Sequence, residues 1–122
     1  MNRRARGSRF ERRAEHYLRG QGLETLDRNF HCRQGEVDLV MREDGVTVFV
    51  EVRYRGTGSL VTAAQSVDRQ KQAKLCRAAG VYLNRHPRLA ATPCRFDVVA
   101  FRDVAGQAEV RWIRNAFSAG GG

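Results

Sequence analysis

Cysteine is scarce and poorly spaced. The three cysteines, Cys32, Cys76 and Cys94, are odd in number and contain no C-x-x-C, so neither a disulfide framework nor a zinc site is indicated. A reducing cytoplasm is the expected compartment. The basic N-terminus has no apolar run behind it, unlike a secretory signal. No stretch approaches the length that spans a bilayer, so no membrane partner is expected. His16, His31 and His86 are scattered without ligand spacing, so packed or exposed histidines are expected rather than a metal or general-base cluster. Acid is in deficit: 13 Asp and Glu stand against 22 Lys and Arg, a net charge of +9.

What is present is an arginine-rich chain of ordinary hydrophobic content, 42% of its 122 residues. One domain spanning 1–122 is expected, with 1–7 and 118–122 flexible. Arginine makes planar two-pronged contacts to phosphate, so the surplus points to a polyanionic partner. A compositional preference for Arg with no partner is the alternative.

Apolar periodicity supplies the elements. Phe10, Ala14, Tyr17 and Leu18 fall on one helical face, opened by a capping-box pattern Ser8-Arg9-Phe10-Glu11 and stopped by Gly20 and Gly22. A strand is predicted over 23–32. Two more flank Asp44-Gly45, a two-residue hairpin signature: residues 36–41 and 46–53. Residues 56–61 read as a loop; Gly56-Thr57-Gly58 lacks the Lys and spacing of a phosphate-binding P-loop. A helix over 64–84 carries Val67, Leu75, Ala78, Ala79 and Tyr82 on its apolar side and ends at His86-Pro87. Strands over 95–101 and 109–113 follow, with a turn near Gly106. The order αβββαββ predicts an α/β domain with a mixed central sheet flanked by helices. Phe30, Trp112 and Phe117 are expected in the core, and Asp97 in a structural ion pair with Arg95 or Arg55.

The hairpin has a derivable register. With Asp44 and Gly45 in the turn, Glu43 faces Val46, Met41 faces Val48, Leu39 faces Val50 and Val37 faces Val52. On the other face Val40 meets Phe49, Asp38 meets Glu51 and Glu36 meets Arg53. Two carboxylates about 5 Å apart repel by about 3 kcal/mol at an effective dielectric near 20. A raised pKa, a protein cation or a divalent metal relieves this. Mg²⁺ suits two carboxylates with waters and a phosphate oxygen. Neutralisation by Arg53 and Arg55 as a plain surface network stays open beside it.

Arg33-Gln34-Gly35-Glu36-Val37-Asp38-Leu39-Val40 and Val48-Phe49-Val50-Glu51-Val52-Arg53-Tyr54-Arg55 together resemble the YraN family of small bacterial proteins. That family is itself similar to restriction-endonuclease-like nucleases, including Holliday-junction resolvases. Gly7, Glu11, Ala14, Tyr17, Leu18, Val67, Lys71, Gln72, Ala79, Tyr82, Leu83 and the run 95–98 extend the resemblance over most of 7–101. It implies a restriction-endonuclease-like core, Asp38 and Glu51 as metal ligands, Arg53 at the position of the nuclease motif's lysine, and Glu11 as a further acid. The capping use of Glu11 stays open.

Arginine remains charged and cannot serve as the base that activates water, so Arg53 is expected to hold the scissile phosphate. Lys71, on the inward face of its helix, is the candidate replacement; a stem snorkelling to solvent is the competing use. Gln70 and Gln72 are weaker candidates. Arg33 and Arg55 flank the hairpin as phosphate clamps, charge balance being the alternative.

The expected function is a Mg²⁺- or Mn²⁺-dependent DNA endonuclease, or a nuclease-derived protein, acting on branched or single-stranded DNA. The alternative is a non-catalytic nucleic-acid-binding or DNA-processing adaptor module. A third is an RNA- or ribosome-associated basic protein whose acids are structural. Nucleases for branched substrates often use two active sites, so a homodimer is compatible with the first reading.

Overall fold

The computed structural model describes residues 3–56 and 67–118, with side chains from Arg9 onward. Helix α1 (Arg3–Gly20) leads into strands β1 (Glu24–Cys32), β2 (Gly35–Glu43) and β3 (Val46–Tyr54). Helix α2 (Arg69–Arg85) and a short turn of helix α3 (Pro87–Ala90) precede β4 (Cys94–Val104) and β5 (Gln107–Phe117). The five strands form one sheet in the order β1-β2-β3-β4-β5. Only β3 and β4 run parallel; the other neighbours are antiparallel. The fold is thus the expected α/β, αβββαββ arrangement with a mixed sheet, consistent with a restriction-endonuclease-like core.

Each sheet face has its own core because each face has its own helix. Phe10, Ala14 and Leu18 of α1 pack on Leu39, Met41, Val48, Val50, Val99 and Phe101. On the other face Leu75, Ala78, Ala79 and Tyr82 of α2 pack on Val37, Val40, Phe49, Phe96 and Val98. Strands β2 and β3 are covered on both sides, so they read as near-continuous apolar runs. Each large side chain buried in this way contributes roughly 1.5–3 kcal/mol. Phe30, Trp112 and Phe117 are half-buried at the margins of these clusters.

The two hairpin turns follow from their residues. Asp44-Gly45 and Ala105-Gly106 hold φ of 48° and 81°, and of 51° and 80°, the left-handed pairs of type I′ turns.

Several boundaries differ from the sequence expectation. Helix α1 begins at Arg3, so Ser8 lies inside the helix and the capping-box use of Glu11 does not apply. Helix α2 starts at Arg69 because Asp68 caps it, its carboxylate accepting the Lys71 N–H at 2.8 Å. The expected loop over 57–61 and the tail beyond Ser118 lie outside the described residues. The final hairpin is longer than predicted, since β5 alternates half-buried and exposed residues over most of its length.

Asp97 forms the expected structural pair with Arg95, at 3.0 Å. It also accepts from Trp112 Nε1 at 2.8 Å and from the Asn115 N–H at 2.9 Å, which ties β4 to the irregular end of β5. Arg95 extends the network to Glu43 at 2.7 Å.

Candidate functional site

The β2–β3 register follows the derived one from Glu43↔Val46 to Leu39↔Val50, and the ladder ends there. The expected rungs Val37–Val52, Asp38–Glu51 and Glu36–Arg53 are replaced. The cause is Asp38 itself: its Oδ2 accepts the backbone N–H of Val52 at 2.8 Å. A carboxylate is a stronger acceptor than the carbonyl it displaces. Alternation breaks at this point, and Val37 joins Val40 in the α2-side core instead of joining Leu39. Glu36 pairs with His31 at 3.1 Å rather than with Arg53.

Strand β1 runs beside the same place. Its register passes from Arg28↔Leu39 to Phe30↔Val37, with Asn29 between them at φ 51°. Asn tolerates this left-handed conformation better than most residues. Asp38 therefore sits where the β2–β3 ladder has ended and opposite the positive-φ Asn29, while the β1–β2 register runs on unchanged there, its one shift lying between Thr25 and Asp27.

The fold brings acids together here from three elements. Glu51, buried in β3, and Glu11, half-buried in α1, both come within hydrogen-bonding reach of the Asp38 carboxyl. Burial, then the charge of Asp38, pushes the Glu51 carboxyl up to about 8. Burial, then Asp38, pushes Glu11 up to about 7, with Glu36 adding to the rise and a hydrogen bond from Asn29 opposing it. Two cations offset the charge on Glu51: Lys71 Nζ lies 3.5 Å from its Oε2, and Arg53 Nε 3.8 Å. Lys71 is in the first turn of α2, so the Asp68 cap sets its position.

The donor set fits a small hard cation. Asp38 and Glu51 offer carboxylate oxygens of the kind Mg²⁺ and Mn²⁺ accept, and waters or a phosphate oxygen complete such a shell. Among the described residues no group of three or more His, Cys, Asp or Glu is placed to hold a metal ion. A cation at this point therefore takes most of its coordination from ligands other than the described His, Cys, Asp and Glu side chains.

This geometry sits on a widely shared sequence. Residues 10–101 match the model of the uncharacterised protein family UPF0102. The chain belongs to the UPF0102 family. This is the YraN family that the motifs resembled. UPF0102 proteins of Halorhodospira halophila, Alcanivorax borkumensis and Xylella fastidiosa are similar to it. They are 53%, 48% and 50% identical, over 93%, 88% and 96% of this chain and 88%, 86% and 95% of their own lengths.

In this UPF0102 chain the fold gathers Glu11, Asp38, Glu51, Arg53 and Lys71 at one point. Arg33 and Arg55 are both exposed, and neither forms an ion pair among the described residues. Gln72 closes the entry to α2, donating to the Val67 carbonyl at 2.9 Å, and Gln70 is exposed. His86 stacks on Tyr82 and bonds its carbonyl at 2.7 Å, which leaves it no part in the site. The residue that sequence reasoning missed is Asn29. Its signal was an Asn interrupting an otherwise strand-like run, a residue type suited to a positive φ.

Among the described residues no helix is long and apolar enough to cross a membrane.

Proposed function

We propose that this UPF0102 protein is a divalent-metal-dependent nuclease that cuts phosphodiester bonds in DNA, branched or single-stranded DNA being the favoured substrate. The observation that carries the reading is the meeting of Asp38 and Glu51 beside Lys71, where the β2–β3 ladder has ended. A site kept for stability alone gains nothing from like charges so placed.

Asp38 and Glu51 are the residues that hold Mg²⁺ or Mn²⁺. Bound there, the ion supplies a Lewis acid for a phosphoryl oxygen and an acidified water. Asp38 is fixed for this by the Val52 N–H, and Glu51 by the body of β3. Lys71 orients Glu51 and offers positive charge to the developing phosphorane. Arg53 holds a phosphate oxygen by its planar fork and cannot deprotonate water. Glu11 on α1 accepts or returns a proton beside Asp38, a role its elevated pKa suits. Arg33 and Arg55 contact backbone phosphates away from the reacting bond. A homodimer offering two such sites is the assembly suited to a branched substrate.

The test is cleavage of single-stranded, duplex and four-way-branched DNA by the purified chain, with Mg²⁺, Mn²⁺ or chelator. Cutting that needs the metal and disappears in Asp38→Ala supports the reading. One observation favours a second reading, a binding module on a nuclease fold: Arg53 stands at the lysine position. Binding without cutting, under every metal, selects the module.

A further inference from the structure

Helix α1 lies over β1, β2 and β3. The inner face of β5 extends past its cover, and Tyr17 and Val110 remain half-buried at the edge of the α1-side core. The result is a groove of about 430 Å³ between α1 and the β4–β5 hairpin. Tyr17, Phe101 and Val110 line its floor, and Arg9, Arg12 and Arg13 its wall.

The wall is unusually basic for a cleft with an apolar floor. The Arg9 guanidinium lies 5.5 Å from the centre of the Phe10 ring, and that of Arg13 lies 5.7 Å from the Phe101 ring. Such stacking orders the guanidinium planes. None of the three arginines has a carboxylate partner among the described residues, whereas Arg28, Arg95, Arg102 and Arg114 all do. Three adjacent cations on one helix repel one another unless an anion joins them. The floor offers apolar and aromatic surface, which a bare phosphate does not use.

Arg12 also borders a second cavity, of about 240 Å³, lined by Glu11, Asn29 and Leu39. The two cavities flank α1 on opposite sides, the groove toward β4 and β5 and the smaller one toward β1 and β2, and Arg12 borders both.

We propose that this groove holds a segment of single-stranded nucleic acid, with phosphates on Arg9, Arg12 and Arg13 and a base against Tyr17 and Val110. A cationic wall beside an aromatic floor is what sequence-independent single-strand binding requires. The proposal deepens the nuclease reading and rests on it for the identity of the polymer. It adds that preference for unpaired DNA arises in the groove rather than at the carboxylates.

The experiment uses the full chain and a fluorescein-labelled oligothymidylate, with binding read by anisotropy at two salt concentrations and folding checked by circular-dichroism melts. The Arg9→Gln/Arg12→Gln/Arg13→Gln variant should bind at least about tenfold more weakly. Its salt slope should shrink by about two for three lost phosphate contacts. Val110→Glu should weaken binding as well, and photolysis of a 5-iodouracil oligonucleotide should label Tyr17. Binding within twofold of the parent by the folded triple variant overturns the proposal. So does tighter capture of the parent by anionic vesicles or polyglutamate than by the oligonucleotide, through the same arginines.

The two readings fail separately. Cutting that survives Asp38→Ala while the triple variant loses binding refutes the carboxylate site and keeps the groove. Cutting lost in Asp38→Ala with unchanged binding by the triple variant refutes the groove alone.

Discussion

Lys71 reaches across from α2 to place its Nζ 3.5 Å from Glu51 Oε2, linking the helix to the most buried acid of the site. A lysine that only snorkels would extend past the carboxylate to water. Here the stem stops at the acid, and its charge opposes the rise in the Glu51 pKa.

Lys71→Met should therefore raise the Glu51 pKa further and reduce single-turnover cleavage by roughly 100-fold, a usual loss for a positioned charge-stabilising group. Lys71→Arg should recover part of this. A Met variant that cuts at the parental rate would assign Lys71 to packing.

Asp38→Asn and Asp38→Ala separate the two duties of that side chain. The amide oxygen of Asn can still accept the Val52 N–H, so Asn removes charge while keeping the bond. Without metal and at pH 9, where Glu51 is ionised, Asp38→Asn should match or exceed the parent in urea denaturation, since the repulsion with Glu51 is gone. Asp38→Ala should lose about 1–3 kcal/mol for the unpaired backbone donor. Both should fail to cut. Equal destabilisation by the two variants would mean that the carboxylate charge, rather than the bond, holds β2 against β3.

Much of this arrangement was legible in the residues. Alternation and the Asp44-Gly45 turn fixed the hairpin register as far as Leu39 and Val50, because turn chemistry and burial act locally. The register beyond that point was not legible. It assumed that backbone pairs with backbone, and it gave no weight to a carboxylate competing for the Val52 N–H. The positive φ of Asn29 was hidden for a related reason: its place opposite Asp38 emerges only from the folded β1–β2 pairing. The nearness of Asp38 to Glu51 was expected from a rung that the fold replaces, and Lys71 was pointed to by the family resemblance together with its place on the inward helical face. The groove along α1 was invisible, since it depends on how far β5 runs beyond the helix that covers the sheet.

Asp97 should prove structural and separable from the site. It is 1% exposed and is satisfied by Arg95, Trp112 and Asn115. Asp97→Ala leaves the Arg95 charge half-paired and two donors without acceptors. Breaking a buried pair in this way costs roughly 3–5 kcal/mol. The loss should appear as a lower denaturation midpoint together with weaker near-ultraviolet circular dichroism from a less ordered Trp112. Specific activity per folded molecule should hold at low temperature. A folded variant with normal stability would show that the network is dispensable.

Protons and a divalent cation should compete for the same oxygens. Glu51 and Glu11 ionise near 4.5 in the unfolded chain, but near 8 and 7 in the fold. The folded state therefore retains protons that the unfolded chain has released. The stabilisation they represent is complete below about pH 4.5 and is lost as pH rises through 7 and 8. With chelator, the melting temperature should fall by at least roughly 5 °C between pH 6 and pH 9. Glu51→Gln, which has no such proton to lose, should flatten much of that decline. Mn²⁺ must displace these protons to bind, so its affinity rises with pH. The Mn²⁺-induced rise in melting temperature should be small at pH 6, large at pH 8.5, and absent in Glu51→Gln. A Mn²⁺ shift that ignores pH, or one that persists without Glu51, would place any bound metal away from these carboxylates.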